Sequence, residues 1–207
     1  LGYDISLTGF DNDLLLDLKD KDDEIPETPV TPRSKIGDVY ELGTHRVMCG
    51  SATESENVQT LTGGVLADMV FTDPPYNVDY SGNGKNTKNK ILNDKMGDSD
   101  FIEFLTKSFE SFAQCTKKGA GFYVFHSPTT QVEFTVALEN NGIEIKNQLI
   151  WNKPHAGLGM GDYRWKHEPF FYAGVKKSKI NFYGDRTHTS IVTIPETEEG
   201  MLKWVRT

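Results

Sequence analysis

Four consecutive residues, Asp73-Pro74-Pro75-Tyr76, combine the groups needed to bind and activate an aromatic amine. The Asp73 carboxylate and the Pro74 carbonyl can each accept one hydrogen from an exocyclic amino group, while the Tyr76 ring stacks on the planar ring that carries it. Drawing both hydrogens to one side localises the nitrogen lone pair, which is otherwise delocalised into the ring. The pattern therefore predicts a site that makes an aromatic amine nitrogen nucleophilic.

An apolar segment leads directly into these residues. Val65–Phe71 is apolar except for Asp68 and is rich in β-branched and aromatic residues, which predicts a strand buried on both faces, as in a parallel sheet covered by helices. Pro74 and Pro75 end the strand, because neither can donate a ladder hydrogen bond. Ligands of open α/β sheets bind at the carboxyl ends of strands, so we expect Asp73 to lie at a ligand-binding edge.

The flanking sequence predicts an alternation of strands and helices. The predicted elements are a hairpin turning near Gly43, a helix over Phe101–Cys115 capped by Asp98 or Asp100, a strand over Gly121–His126, a helix over Thr129–Asn141 ended by Gly142, and a strand over Glu144–Trp151. This order favours an α/β fold with about four mainly parallel strands and helices on both faces. His126 would then lie on the same edge as Asp73, and we assign it no role.

The net charge of −8 comes entirely from the first 60 residues, which hold thirteen acids and five bases; residues 61–207 hold seventeen of each. Residues 1–35 are predicted to be an acidic linker or tail, and residues 36–207 the catalytic region. Cys49 and Cys115, the only cysteines, are predicted to be free thiols, and no metal-ligand spacing is present. The sequence has neither an apolar run of membrane length nor a secretory leader, so we expect a cytoplasmic location without membrane attachment.

Asp73-Pro74-Pro75-Tyr76 after an apolar strand resembles the catalytic motif of the beta-class amino methyltransferases, which methylate adenine or cytosine in DNA from S-adenosylmethionine. The resemblance implies a Rossmann-like methyltransferase sheet and assigns all four residues to catalysis on a flipped base. Asp rather than Ser at position 73 favours adenine N6 over cytosine N4 in that family. Trp151-Asn-Lys153, Tyr163 and His167-Glu168 resemble the later segments that complete the catalytic half of its sheet.

The resemblance also bears on the cofactor. Asp73 and the corner Cys49-Gly50-Ser51 are similar to family positions that approach S-adenosylmethionine, although a plain structural turn is an equal alternative for the corner. The Asp-x-Phe-x-Gly-x-Gly loop that follows later in this branch of the family does not occur in the sequence. We therefore expect only the catalytic half of the sheet, truncated before the cofactor motif.

Four lysines follow the motif in a glycine- and asparagine-rich stretch, namely Lys85, Lys88, Lys90 and Lys95. Their position beside the base-binding corner predicts phosphate contacts that are independent of DNA sequence. A solvated loop is the alternative, and it is equally compatible with the pattern. Ile91-Leu-Asn-Asp94 resembles a further family element, which makes Asp94 an additional candidate.

The candidate partners also follow from the resemblance. Leu1–Phe10 is similar to the segment that joins a ParB-like nuclease domain to a methylase in phage and prophage modification proteins. Double-stranded DNA, an upstream ParB-like domain, a C-terminal cofactor-binding half and a second copy of the chain are therefore the candidate partners. Two other functions stay open: methylation of cytosine N4 or an RNA base, and a non-catalytic DNA-binding subunit that works with a partner.

Overall fold

The computed structural model describes residues 31–79, 93–156, 162–185 and 187–194. The chain divides into two compact units, Leu1–Lys35 and Ile36–Thr207, and the first is described only from residue 31 onwards. Within the described ranges the elements of the second unit are β1 (Val39–Leu42), β2 (His45–Met48), α1 (Ser55–Thr62), β3 (Ala67–Thr72), α2 (Asp98–Gln114), β4 (Thr116–Phe125), α3 (Gln131–Asn140), β5 (Ile143–Asn152), β6 (His167–Val175) and β7 (Ile191–Thr193). None of the described helices is long and apolar enough to cross a membrane.

Five of these strands form a mixed sheet in the order β3-β4-β6-β5-β7. β3 pairs with β4 and β5 pairs with β7 in parallel, whereas β6 runs antiparallel to both β4 and β5. Four strands therefore point the same way and β6 runs against them. The α/β class and the mainly parallel strand direction agree with the sequence prediction. β1 and β2 form a separate antiparallel hairpin that turns at Gly43, as predicted.

The hydrophobic core lies between one face of the sheet and the helices α2 and α3. Both helices present aromatic and aliphatic side chains at helical spacing, so each has one apolar side to bury. Phe101, Phe109 and Phe134 are completely buried, and the rings of Phe101 and Phe109 both contact the ring of Phe134. The rest of the buried cluster comprises Leu105, Ala120, Phe122, Val124, Ala137, Leu138, Ile143, Phe171 and Ala173.

The opposite face of the sheet carries a row of aromatic rings instead. Phe71 of β3 contacts Tyr123 and Phe125 of β4, and Phe125 stacks on Phe170 of β6 at 4.6 Å. Phe71 is 64% exposed and Met69 is 54% exposed. The prediction that β3 is buried on both faces is therefore wrong. Among the described residues, no helix packs on this face at Phe71. The predicted arrangement with helices on both faces is therefore not found at this strand.

The helix boundaries differ in detail from the predictions. The residue before α2 is Gly97, and neither Asp98 nor Asp100 caps the helix; both lie in its first turn, where their charges favour the helix dipole. After α3, Gly142 has a φ of 64° and donates its N–H to the carbonyl of Glu139. A left-handed glycine at this place ends the helix as the sequence indicates.

Candidate active site

The carboxyl ends of β3, β4 and β5 meet at one edge of the sheet. Thr72 of β3 lies beside Val124 of β4 in parallel register, and Asn152 of β5 pairs with His167, the first residue of β6. The residues that follow these strands therefore share that edge. Asp73 lies there with His126, as the parallel strand direction predicts.

The turn after β3 is closed by a hydrogen bond between two of its predicted site residues. The Tyr76 hydroxyl donates to Asp73 Oδ1 at 2.5 Å. Burial of the Tyr76 ring raises the pKa of its hydroxyl far above the usual range, and the bond to Asp73 and the negative charges of Asp73 and Glu168 raise the pKa further. Tyr76 is therefore a neutral donor at any physiological pH.

Two acceptors of the turn remain available to a substrate. Within the described residues, neither Asp73 Oδ2 nor the Pro74 carbonyl accepts a hydrogen bond. A carboxylate has about four lone-pair sites, so the bond to Tyr76 leaves Asp73 able to accept more. The structure thus brings together the carboxylate, the bare carbonyl and the aromatic ring of the motif.

The Tyr76 ring is fixed by the core. It is half-buried and meets Phe134 of α3 edge to face, with ring centroids 6.3 Å apart and an interplanar angle of 73°. This geometry is the favourable one for aromatic pairs. The position of the turn therefore depends on α3, a contact that the sequence did not predict.

The next residues of the chain are tied to the segment before α2. The Asn77 side chain accepts from the Met96 N–H at 2.6 Å and donates to the Met96 carbonyl at 3.1 Å. Val78 N–H donates to the buried Asp94 carboxylate at 3.2 Å. Asn77 has a φ of 60°, a left-handed conformation that asparagine tolerates better than most residues. In the neighbouring sequence, the asparagine directly after the motif was the only indication of these hydrogen bonds.

Of the four lysines predicted to bind DNA, the structure describes only Lys95. Lys85, Lys88 and Lys90 lie outside the described residues. Lys95 forms an exposed ion pair with Asp79 at 2.6 Å, and this contact raises the pKa of the ammonium group. Exposed ion pairs contribute little, so the pair does not remove Lys95 from phosphate binding, which stays a prediction.

The corner Cys49–Ser51 connects β2 to α1. The backbone N–H and carbonyl of Cys49 pair with Asp38 and Gly37, and the Ser51 hydroxyl bonds to Thr53 at 2.7 Å. A Cβ on Gly50 would lie 3.1 Å from the Asn57 side-chain amide. Among the described residues no hydrogen bond joins this corner to the turn at Asp73. The structure accounts for the corner as the entry to α1, and its role towards a cofactor stays a prediction.

Lys153 and Glu168 form an ion pair at the same edge as Asp73. The Lys153 ammonium also lies 5.3 Å from the centroid of the Trp151 ring, a cation–π distance. Trp151 and Glu168 are direct neighbours in the β5–β6 pairing. The resemblance implied that their segments complete the catalytic half of the sheet, and in the structure Trp151 and Glu168 lie in the paired strands β5 and β6. The ion pair and the effect of the Glu168 charge on the pKa of Tyr76 were not predicted, because they depend on the register.

His126 is fully buried at this edge and stacks on Phe171 at 4.2 Å. Burial lowers the pKa of its imidazole, and a contact of Nδ1 with the Ser127 carbonyl partly offsets that effect. Its Nε2 has no hydrogen-bond partner among the described residues. The ring is therefore packed as part of the core at this edge, and we assign it no role.

Several solved structures resemble this chain. M1.HpyAVI in complex with SAM is 20% identical, with a TM-score of 0.44 over 65% of this chain and 56% of that chain. M1.HpyAVI alone is 16% identical, with a TM-score of 0.49 over 75% of this chain and 69% of that chain. The cytosine-N4-specific PvuII DNA methyltransferase is 11% identical, with a TM-score of 0.47 over 72% and 56%. This chain thus spans little more than half the length of the first of them.

No curated protein sequence matches this chain significantly. A family model for DNA methylases of the N6 and N4 amino type matches residues 67–201, which is well over half of the chain. The match starts at the first residue of β3 and includes the whole turn from Asp73 to Tyr76. The chain therefore belongs to the N6_N4_Mtase family of DNA methylases.

Proposed function

We propose that the protein transfers a methyl group from S-adenosylmethionine to the N6 amino group of an adenine flipped out of duplex DNA. The observation that carries this proposal is the turn at the end of β3, where the Tyr76 hydroxyl holds one oxygen of Asp73 and the other accepts no hydrogen bond from the residues that the structure describes. The same turn presents the Pro74 carbonyl, so two acceptors are available for the two amino hydrogens.

The residues of the turn have separate roles in this mechanism. Asp73 and the Pro74 carbonyl accept one amino hydrogen each, which localises the nitrogen lone pair. The Tyr76 ring, supported by Phe134, stacks on the flipped base. Pro75 fixes the backbone between the acceptors and the ring through its restricted φ. Holding the amine in line with its reaction partner lowers the barrier by removing the entropy of encounter.

S-adenosylmethionine, when bound, supplies an electrophilic sulfonium methyl group. We propose Asp73 and the corner Cys49–Ser51 as the residues that would contact the cofactor. Lys85, Lys88, Lys90 and Lys95 are proposed to bind DNA phosphates. Adenine rather than cytosine N4 is proposed because the motif begins with Asp.

Tritiated S-adenosylmethionine and nucleoside analysis of the product test the proposal. We expect N6-methyladenine with the wild-type chain, and a loss of about a hundredfold or more with Asp73→Ala, the scale typical of removing one group that stabilises developing charge. Asp68→Ala is the matched control, since Asp68 is an exposed aspartate on the strand that leads to Asp73 and forms an ion pair with Lys117. Its methylation rate should stay within about twofold of wild type.

The outcomes separate the alternatives. N4-methylcytosine as the product would contradict the adenine assignment and leave the roles of Asp73 and Pro74 intact. DNA binding without methylation under any condition would contradict the catalytic proposal for this chain and favour a non-catalytic subunit. Equal activity of the Asp73→Ala and Asp68→Ala variants would refute the role of the turn.

A further inference from the structure

The connection from β5 to β6 exposes two aromatic side chains near the candidate active site. Tyr163 is 92% exposed and Trp165 is 58% exposed. Arg164 and Lys166 alternate with them and are also exposed. Single exposed aromatics are ordinary on protein surfaces. Two within three residues, interleaved with cations, are typical of surfaces on which nucleic-acid bases stack.

The C-terminal end of this segment is held against the sheet edge described above. The Lys166 carbonyl accepts from the Lys153 N–H at 2.9 Å, and His167 is paired with Asn152. The Trp165 ring meets the His167 ring at 5.4 Å with an interplanar angle of 71°. Since β6 begins at the edge where β3 ends, the exposed rings lie on the same side of the molecule as Asp73.

The segment also borders a concavity of about 440 Å³, lined by Asp162, Tyr163, Arg164, Trp165 and His167. Neither Asp73 nor Tyr76 lines it. The concavity is therefore separate from the turn that would hold the target amine.

We propose that Tyr163 and Trp165 stack on DNA bases next to the target nucleotide, while Arg164 and Lys166 bind the flanking phosphates. This inference rests on the proposed function. Flipping one base out of a duplex leaves its partner base unpaired and the adjacent bases unstacked. Aromatic side chains that cover these bases lower the free-energy cost of flipping. DNA fits residues 162–166 better than a protein partner does, because their two cations, Arg164 and Lys166, outnumber their single acid, Asp162, and match the charge of phosphates.

Binding of the wild-type chain to two duplexes of the same sequence tests the inference. One duplex is fully paired and the other has a one-nucleotide gap, which presents unstacked bases. We expect wild type to prefer the gapped duplex, and Trp165→Ala or Tyr163→Ala to bind it about tenfold more weakly, the scale of base–aromatic stacking. Arg164→Ala and Lys166→Ala should instead each reduce the slope of log affinity against log salt by about one.

Tyr183→Ala is the matched control, because Tyr183 is 87% exposed and lies outside the segment. It should bind both duplexes as wild type does. Trp165→Phe should retain the affinity but lose most of the quenching of tryptophan fluorescence that DNA causes in wild type. That quenching can be followed because the chain has only three tryptophans.

The outcomes distinguish this inference from the proposed function. Unchanged affinity of Tyr163→Ala and Trp165→Ala for the gapped duplex would overturn the inference alone. Failure of wild type to bind either duplex would overturn the inference together with the DNA substrate of the proposed function. Stacking-dependent binding by a chain that never transfers a methyl group would support the inference and contradict the proposed function. Self-association that Trp165→Ala abolishes, without any change in DNA affinity, would assign the segment to a protein contact and overturn the inference.

Discussion

Tyr76→Phe removes the hydroxyl that holds Asp73 and leaves the aromatic ring in place. The lost contact is a hydrogen bond of 2.5 Å to a carboxylate. Bonds to charged groups contribute about 1.5–3 kcal/mol to stability when shielded from water. Asp73 is exposed, so we expect a smaller loss of about 1 kcal/mol after allowance for solvent screening. The edge-to-face contact of the ring with Phe134 remains.

Urea unfolding measures this loss. Tyr76→Phe should lower the free energy of unfolding by about 1 kcal/mol at an unchanged m-value, whereas Tyr76→Ala should lower it by about 3 kcal/mol because the ring contact with Phe134 is lost as well. The same 1 kcal/mol, if it holds the carboxylate in its reactive orientation, corresponds to a roughly fivefold slower methyl transfer. DNA affinity should fall with Tyr76→Ala and stay near wild type with Tyr76→Phe, since only the ring stacks on the base.

The pH dependence gives a second test of the same bond. Because burial and the bond to Asp73 raise the pKa of the Tyr76 hydroxyl, tyrosine in the unfolded chain ionises first, near its ordinary value of about 10. The stabilisation is therefore fully present below that pH and is lost as the pH rises above it. The stability difference between wild type and Tyr76→Phe should accordingly shrink above about pH 10. Equal stability of the two proteins at pH 7 would refute the hydrogen bond, and equal stability of the Phe and Ala variants would refute the role of the ring.

Two further predictions concern the neighbours of this turn. Asn77→Ala removes both hydrogen bonds to the Met96 backbone, so hydrogen exchange of the Met96 amide should become about tenfold faster. Asn93→Ala is the control, because it replaces another asparagine with a left-handed backbone and should leave the exchange rate of Met96 unchanged. His126 has a pKa lowered by burial, so the unfolded chain takes up the proton first and stability should fall as the pH drops below about 6.5. His126→Phe, which keeps a ring against Phe171, should show a shallower slope in urea unfolding between pH 5 and 7, and an unchanged slope would contradict the assignment.

The features that the sequence predicted have local causes. The strand that ends at Asp73 follows from an apolar run stopped by two prolines, and the hairpin follows from alternation around Gly43, which has a φ of 65°. The helical spacing of Phe101 and Phe109 predicted helix α2 and the side of it that is buried. Each of these patterns lies within about fifteen residues of sequence, the range over which periodicity is informative.

The features that the sequence did not predict depend on distant parts of the chain. Phe71 was expected to be buried because its strand is apolar, but exposure depends on what covers the sheet face and not on the strand itself. The bond between Asn77 and Met96 spans 19 residues and has no periodic signal. The ion pair of Lys153 with Glu168 follows from the β5–β6 register, which a one-residue shift would abolish by moving side chains to the other face.

The candidate catalytic carboxylate owes its position to the core, although it is itself exposed. Asp73 is held by the Tyr76 hydroxyl, the Tyr76 ring packs on Phe134, and Phe134 contacts Phe101 and Phe109 in the buried cluster of α2 and α3. Close-packed interiors transmit small displacements, because few voids absorb them. In the proposed mechanism Asp73 must meet an amino hydrogen within a few tenths of an ångström, and helix packing as well as the turn would supply that precision. This arrangement explains why a tyrosine suits the fourth position of the motif: its hydroxyl joins an exposed carboxylate to a ring anchored in the core.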